Sequence, residues 1–246
     1  MAEISVVIPV FNEAENIKDL VLSIHNIMRG IAADHEIIVV DDGSDDDTLS
    51  VLSDLQKKVE PLRVLSHQFN SGQSASLYNG IHFAKGSIIV TLDGDGQNDP
   101  ADIPHMITTF QKNLDRNVQM VSGHRKKRDD NALRKISSYI ANSIRQFLLR
   151  DNTPDTGCGL KVFSRDVFLL LPFFDHMHRF LPALIQIHGG EVISEEVNSL
   201  PRKYGVSKYG VWNRLWVGIV DLFGVIWLKK RFKKAIVKEI SGGKNE

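Results

Sequence analysis

A single cysteine, Cys158, stands in 246 residues, which rules out a disulfide-stapled scaffold and fits a reducing compartment. No apolar run reaches the roughly 20 residues that a bilayer-spanning helix requires. The opening "MAEISVVIPV" enters a strand-like run at once, without a basic leader, so the sequence reads as cytoplasmic rather than secreted. Net charge is also absent, with 30 Lys and Arg against 30 Asp and Glu. No basic stripe is interleaved with aromatics, which argues against nucleic acid as a partner. Internal repeats and low-complexity runs are missing as well, apart from the loose tail "SGGKNE".

Hydrophobic residues make up 42% of the chain, enough for one large domain with an appendage. The zero net charge conceals an asymmetry. Residues 1–123 carry 8 Lys and Arg against 18 Asp and Glu, and residues 124–246 carry 22 against 12, giving −10 and +10. An acidic half suits a metal, and a basic half suits phosphate or anionic lipid. Apolar, β-branched runs at 4–10, 35–41, 62–66, 86–93 and 118–123 alternate with helix-period segments at 14–29, 46–58, 73–84 and 101–113. That alternation predicts a mostly parallel sheet sandwiched by helices, with ligands bound outside the carboxyl ends of the strands. Polar clusters follow the runs: Asn12 and Glu13, Asp41 and Asp42, Asn70 and Gly72, Asp93 and Asp95, and Arg125. Together they predict one polar rim.

The fourth cluster is the sharpest. In "TLDGDGQNDP" (91–100) glycines flank Asp95 and let the backbone turn and a ligand approach. On extended chain Asp93, Asp95 and Gln97 project to one side, an oxygen set suited to Mg²⁺ or Mn²⁺. Asp99, before Pro100, reads as a helix cap. In "VVDDGSDDDT" (39–48), Ser44 or Asp45 reads as a helix N-cap with acidic residues in the first turn. Gly80 reads as a site of close helix-to-sheet packing. The histidines His67, His82, His105 and His188 lack metal-ligand spacing and read as structural or solvated.

Taken in order, "PVFNEAENI" (9–17), "VVDDGSDDDT", "NSGQSASLYNGIHFAKG" (70–86) and "LDGDGQNDP" (92–100) resemble the inverting family 2 glycosyltransferases of the GT-A fold. With "SGHR" (122–125), "DTGCGLKVF" (155–163) and "RKYGVSKYG" (202–210), the sequence is similar to dolichol-phosphate mannose synthases and bacterial polyprenyl-phosphate relatives. The resemblance, from about Ile4 to about Trp227, implies a Rossmann-like GT-A fold and a nucleotide-sugar donor, GDP- or UDP-linked. It implies a dolichyl or undecaprenyl phosphate acceptor. Pro9, Phe11, Glu13, Val40 and Asp42 would surround base and ribose; Asp95 and Gln97, with Asp93, would hold Mg²⁺ or Mn²⁺ on the diphosphate; Arg125 would reinforce it. Catalytic roles fall to Asp93, Asp95 and Arg125, and Arg134, Ser137, Arg202 and Lys208 match acceptor- or donor-phosphate positions. Asp155 is a spare carboxylate that either orients cations or meets sugar hydroxyls. Mannose is the donor sugar of the best-known branch, and a UDP-sugar remains open. So do a hydroxyl acceptor on a surface glycan and a noncatalytic nucleotide-sugar-binding subunit.

The catalytic domain is expected over 1–210, an amphipathic membrane-surface or dimer helix over 211–236, and a tail over 237–246. Leu215 to Leu228 holds 14 residues with one charge, Asp221, about 21 Å of helix and too short to cross a bilayer. Arg214, Gly218, Asp221 and Val225 form a narrow polar stripe. Trp212, Trp216 and Trp227 would sit at headgroup depth, and "KKRFKK" would meet anionic lipid. The expected location is therefore the inner face of the cell membrane, as a peripheral protein, with a homodimer or an integral-membrane partner as further possibilities.

Overall fold

The chain is seen in a computed structural model whose described residues are 3–31, 34–126, 145–202 and 211–233, the side chains of 211–217 excepted. The strands are β1 (Ile4–Val10), β2 (His35–Asp41), β3 (Leu62–Ser66), β4 (Ile88–Thr91), β5 (Val118–Arg125), β6 (Lys161–Ser164) and β7 (Glu191–Val197). The helices are α1 (Ala14–Met28), α2 (Thr48–Gln56), α3 (Gln73–Phe83), α4 (Ile103–Lys112), α5 (Arg165–Leu169), α6 (Leu181–Ile187) and α7 (Val211–Arg231). A short helical piece covers 145–149.

The interior strands β1, β2 and β4 read as largely apolar runs because both of their faces are covered, whereas the edge strand β3 is only partly buried. In β1 and β2 alternate residues face opposite layers: Val6, Ile8, Ile37 and Val39 join α1, α2 and α4 on one side. Val7, Ile38 and Val40 join α3, α5, α6 and α7 on the other. The seven-stranded sheet runs β3-β2-β1-β4-β6-β5-β7. Its pairings are parallel except for β6, which lies antiparallel between β4 and β5 with Val162 opposite both Val90 and Val121. The predicted mostly parallel sheet is thus present, with β6 as an insertion that the alternation of strands and helices did not foretell. Because β6 alone is reversed, the carboxyl ends of the first five strands share one edge of the sheet.

Two packing features fix this frame. A methyl on Gly80 of α3 would lie 2.5 Å from Val7 Cγ1 and 2.9 Å from Val40 Cγ2, so glycine lets the helix rest directly on β1 and β2. At the opposite edge, buried Glu36 accepts from Ser5 Oγ at 2.7 Å and Lys85 N at 2.6 Å, and pairs with Arg63. Burial alone would raise the Glu36 carboxyl, yet the bonds from Ser5, Lys85 and Arg63 outweigh it and hold the group below 4.5.

On α7, Asp221 and Val225 of the narrow polar stripe face inward: Val225 is fully buried, and Asp221 Oδ2 lies 3.4 Å from His176 Nδ1. The inward turn gives the one carboxylate a partner. The apolar side chains Val220, Phe223 and Trp227 are outward instead, 67%, 66% and 59% exposed.

Two outcomes follow from the packing. Gly80→Ala overpacks two stiff β-branched neighbours and should destabilise the fold by about 1–3 kcal/mol, read as a lower urea midpoint; an unchanged midpoint would refute the close contact. For Glu36, whose folded value is depressed, the stabilisation is complete above pH 4.5 and is lost as pH falls through the folded value. Glu36→Gln should therefore flatten the acid limb of stability against pH, and an equally steep limb would refute it.

Candidate functional site

The loops after β1 and β2 are joined to each other by hydrogen bonds. Asn12 N donates to Ser44 Oγ at 2.9 Å, Glu13 N to Thr48 Oγ1 at 2.9 Å, and Asp45 N to Asn12 Oδ1 at 3.0 Å. Asn12 has φ 53°, a left-handed conformation that asparagine tolerates well. Ser44 and Asp45 therefore serve the neighbouring loop instead of capping α2, whose N-cap is Asp47. Asp46 does support that helix start, accepting from Thr48 N at 2.9 Å. Phe11 and Glu13 lie partly exposed on this joined rim, and Pro9 is buried at the end of β1. Val40 is not brought to the rim by its side chain, which is fully buried against α3.

Asp42 is buried and closely held. Its Oδ1 accepts from Ser71 N at 2.9 Å and contacts His67 Nδ1 at 2.7 Å, while Oδ2 accepts from Gly72 N at 2.8 Å. Three of its about four acceptor directions are filled by protein. His67 in turn meets Asn79 through Nε2 at 2.9 Å, so it is structural, as its spacing suggested. The adjacent Asp41 is buried too, with Oδ1 unpartnered.

β4 stops at Thr91, leaving Asp93 and Asp95 in the following turn. Gly96 there has φ 71°, which suits glycine. Asp93 N donates to Asn98 Oδ1 at 3.0 Å, and Asp93 Oδ1 accepts from Gln73 Nε2 at 2.8 Å. The Asp93 carboxyl, recessed but partly accessible, is pushed up to about 6, first by burial and then by the like charge of Asp95. Asp95 Oδ1 accepts from Gln97 N at 3.1 Å, and its Oδ2 pairs with Arg202 Nη2 at 2.5 Å. Leu200 N donates to Gln97 O at 2.9 Å, which brings the "LPR" stretch against this turn. Asp99 accepts from Ala101 N at 3.0 Å, the cap that its place before Pro100 suggested.

Arg125, the last residue of β5, makes a bidentate pair with Asp155: Nε to Oδ2 at 2.7 Å and Nη2 to Oδ1 at 2.9 Å. Of the two roles left open for Asp155, orienting a cation is the one this geometry fills. Behind Asp93 lies a cavity of about 60 Å³ lined by Gln73, Cys158, Gly159, Lys161 and His178 among others. Lys161 is buried and donates to Cys158 O; burial pulls its ammonium value down. Gln73, Gly159 and Lys161 were not singled out in sequence, because their importance lies in contacts between distant segments. Arg134, Ser137 and Lys208 lie outside the described residues.

Among the described residues no three His, Cys, Asp or Glu groups converge as a metal cluster. The two carboxylates suit a hard cation, since Asp93 and Asp95 repel one another and Asp95 already holds the positive charge of Arg202; the contacts seen for Gln97 are through its backbone N and O. The edge can thus bind anions through Arg125 and Arg202 and a cation through Asp93 and Asp95.

The family model described as Glycosyl transferase family 2 matches residues 5–170. Dodecaprenyl-phosphate galacturonate synthase of Rhizobium johnstonii is 35% identical over 235 residues, 93% of this chain and 68% of that protein. Undecaprenyl-phosphate 4-deoxy-4-formamido-L-arabinose transferase of Enterobacter sp. is 32% identical over 211 residues, 84% of this chain and 62% of that protein. The chain thus spans about two thirds of the length of these relatives. Glucosyl-3-phosphoglycerate synthase from Mycobacterium tuberculosis, solved with Mn²⁺, UDP and glucosyl-3-phosphoglycerate, superposes with TM-score 0.67 at 18% identity over 95% of this chain and 82% of that one. A mannosyltransferase from Pyrobaculum calidifontis with GDP-Man and Mn²⁺ gives TM-score 0.64 at 18% identity, over 95% of this chain and 66% of that one. The fold is GT-A.

The Arg125 side chain is only 18% exposed and Asp155 6%. Asp155→Ala should leave that guanidinium without its carboxylate and cost on the order of 3 kcal/mol in denaturant unfolding. A loss below about 0.5 kcal/mol, as for an ordinary surface substitution, would show that the pair is dispensable.

Proposed function

We propose that this chain, which belongs to glycosyl transferase family 2, moves a sugar from a nucleoside diphosphate to a polyprenyl phosphate, inverting the anomeric carbon. The observation that carries the choice of acceptor is the bidentate Arg125–Asp155 pair. A hydroxyl acceptor needs a carboxylate to take its proton. Asp155, the spare carboxylate at this edge, already spends both oxygens on a guanidinium. A phosphate acceptor needs no base: its second pKa is about 6, so at neutral pH it is largely dianionic and attacks directly. It needs cations that bring two anionic partners together.

In this reading Phe11, Glu13 and Asp42 receive base and ribose, and Pro9 and Val40 shape the rim from within. Asp95 and Gln97, with Asp93, hold a divalent cation, Mg²⁺ or Mn²⁺, which when bound offsets charge on the departing nucleoside diphosphate. Arg125 is aimed by Asp155 and offers its remaining N–H groups to phosphate oxygens. Arg202, now on Asp95, lies within reach of the same phosphates. Arg134, Ser137 and Lys208 complete the proposed phosphate set from segments outside the described residues. The relatives' names, carrying galacturonate and an arabinose derivative, support a polyprenyl-phosphate enzyme of that kind over transfer of mannose to dolichol.

Work on a lipid acceptor also accounts for α7. No helix among the described residues is long and apolar enough to cross a membrane. Outward Val220, Phe223 and Trp227, followed by Lys229, Lys230 and Arg231, suit docking on an anionic surface. This helix is accordingly the proposed appendage to the catalytic domain, working at the inner face of the membrane.

The test is incubation with labelled sugar nucleotides and a short polyprenyl phosphate, with and without chelator. Lipid-linked label that disappears with chelator is expected. Asp95→Ala should lower turnover at least 100-fold, about 2.7 kcal/mol of transition-state stabilisation. Transfer only to free glycans, donor binding without turnover, or near-normal activity of Asp95→Ala would overturn the proposal.

A further inference from the structure

Asp93 is held from two sides by residues that no motif reading assigned to it. Below it lies Gly159, in the turn that leads into β6. A methyl there would stand 2.3 Å from Asp93 Cγ and 2.4 and 2.5 Å from its two oxygens. The carboxylate therefore rests directly on a backbone that has room for it only because residue 159 has no side chain. From the other side Gln73 Nε2 donates to Oδ1 at 2.8 Å. Gln73 is the first residue of α3, and Ser71 and Gly72 just before it give their N–H groups to Asp42. One turn of chain thus grips both carboxylates, at the ends of β2 and β4.

An aspartate's terminal torsion is broad and roughly two-fold, so its carboxyl plane is undefined unless neighbours define it. Gly159 supplies a flat floor for the plane, and Gln73 marks one oxygen, leaving Oδ2 as the oxygen it does not engage. We propose that Gly159 and Gln73 are positioning residues that hold the Asp93 carboxylate in a single orientation towards the sugar and diphosphate of the donor. The inference rests on the donor-site reading of Asp93, but the contact itself can be tested without any reaction.

The first measurement is a double-mutant cycle in denaturant unfolding with Gly159→Ala and Asp93→Ala. Gly159→Ala should lower the midpoint when Asp93 is present and lower it by less than half as much when residue 93 is alanine, because the group it strikes is gone. Additive effects would overturn the seat. The second measurement is donor kinetics of Gln73→Leu, which keeps the bulk and removes the donor. A fall in kcat of about tenfold or more is expected, with donor KM within about threefold and an unchanged melting temperature, since an ångström of misplacement at a reacting centre can cost about 100-fold. Unchanged kcat, or a rise in KM alone, would overturn the role of Gln73. If even the unmodified chain turns over no donor, the functional reading fails while the unfolding cycle still decides the seat.

Discussion

The structure depends on an apolar sheet interior that is covered on both faces. With Val6, Ile8, Ile37 and Val39 committed to one helical layer and Val7, Ile38 and Val40 to the other, polar chemistry is concentrated at the strand ends. Acidic residues accumulate at the carboxyl edge and must find hydrogen-bond donors there, since a buried carboxylate without partners is costly. Each does so differently. Asp42 takes backbone N–H groups and an imidazole, Asp95 and Asp155 take guanidinium groups, and Asp93 takes the side-chain amide of Gln73. The pair between Asp95 and Arg202 also joins the acidic half of the sequence to the basic half, so the opposed charge of the two halves becomes a local matter of partners.

Much of this was legible in the sequence. β1 to β5 and α1 to α4 follow from apolar runs alternating with helix-period segments, and their observed limits lie within a few residues of the predicted ones. The rim followed because polar clusters close those runs. β6 was missed because four residues, "KVFS", carry too little pattern, and its place is decided by pairing with β4 and β5 far away in sequence. The edge strand β7, with charged residues along "EVISEEV", likewise had no clean apolar signal.

The site was legible in its residue types but not in their partners. Asp93, Asp95, Gln97 and Asp99 were marked by local glycines and proline. Motif likeness marked Val40 as well, yet strand alternation directs its side chain into the core. Asp45 resembled a helix cap, and a loop from β1 claimed it first. Gln73 and Gly159 carry no local signal because their meaning is a contact with Asp93, which in sequence lies 20 residues from one and 66 (159 − 93) from the other. The direction in which Asp221 of α7 points depends on His176, which only the folded chain supplies.

The reversed strand β6 has a consequence for how the chain comes together. β4 pairs with β1 and β6, and β5 pairs with β6 and β7. In a chain made from its amino end, residues 161–164 precede residues 191–197, so until β6 is made β4 has one open edge and β5 has neither of its two partners. The middle of the sheet therefore closes late, by long-range pairings that are slow to form. In that interval two apolar edges are exposed to pairing with other chains. The turn carrying Gly159 arrives with β6, so closure of the sheet and completion of the Asp93 seat are one event.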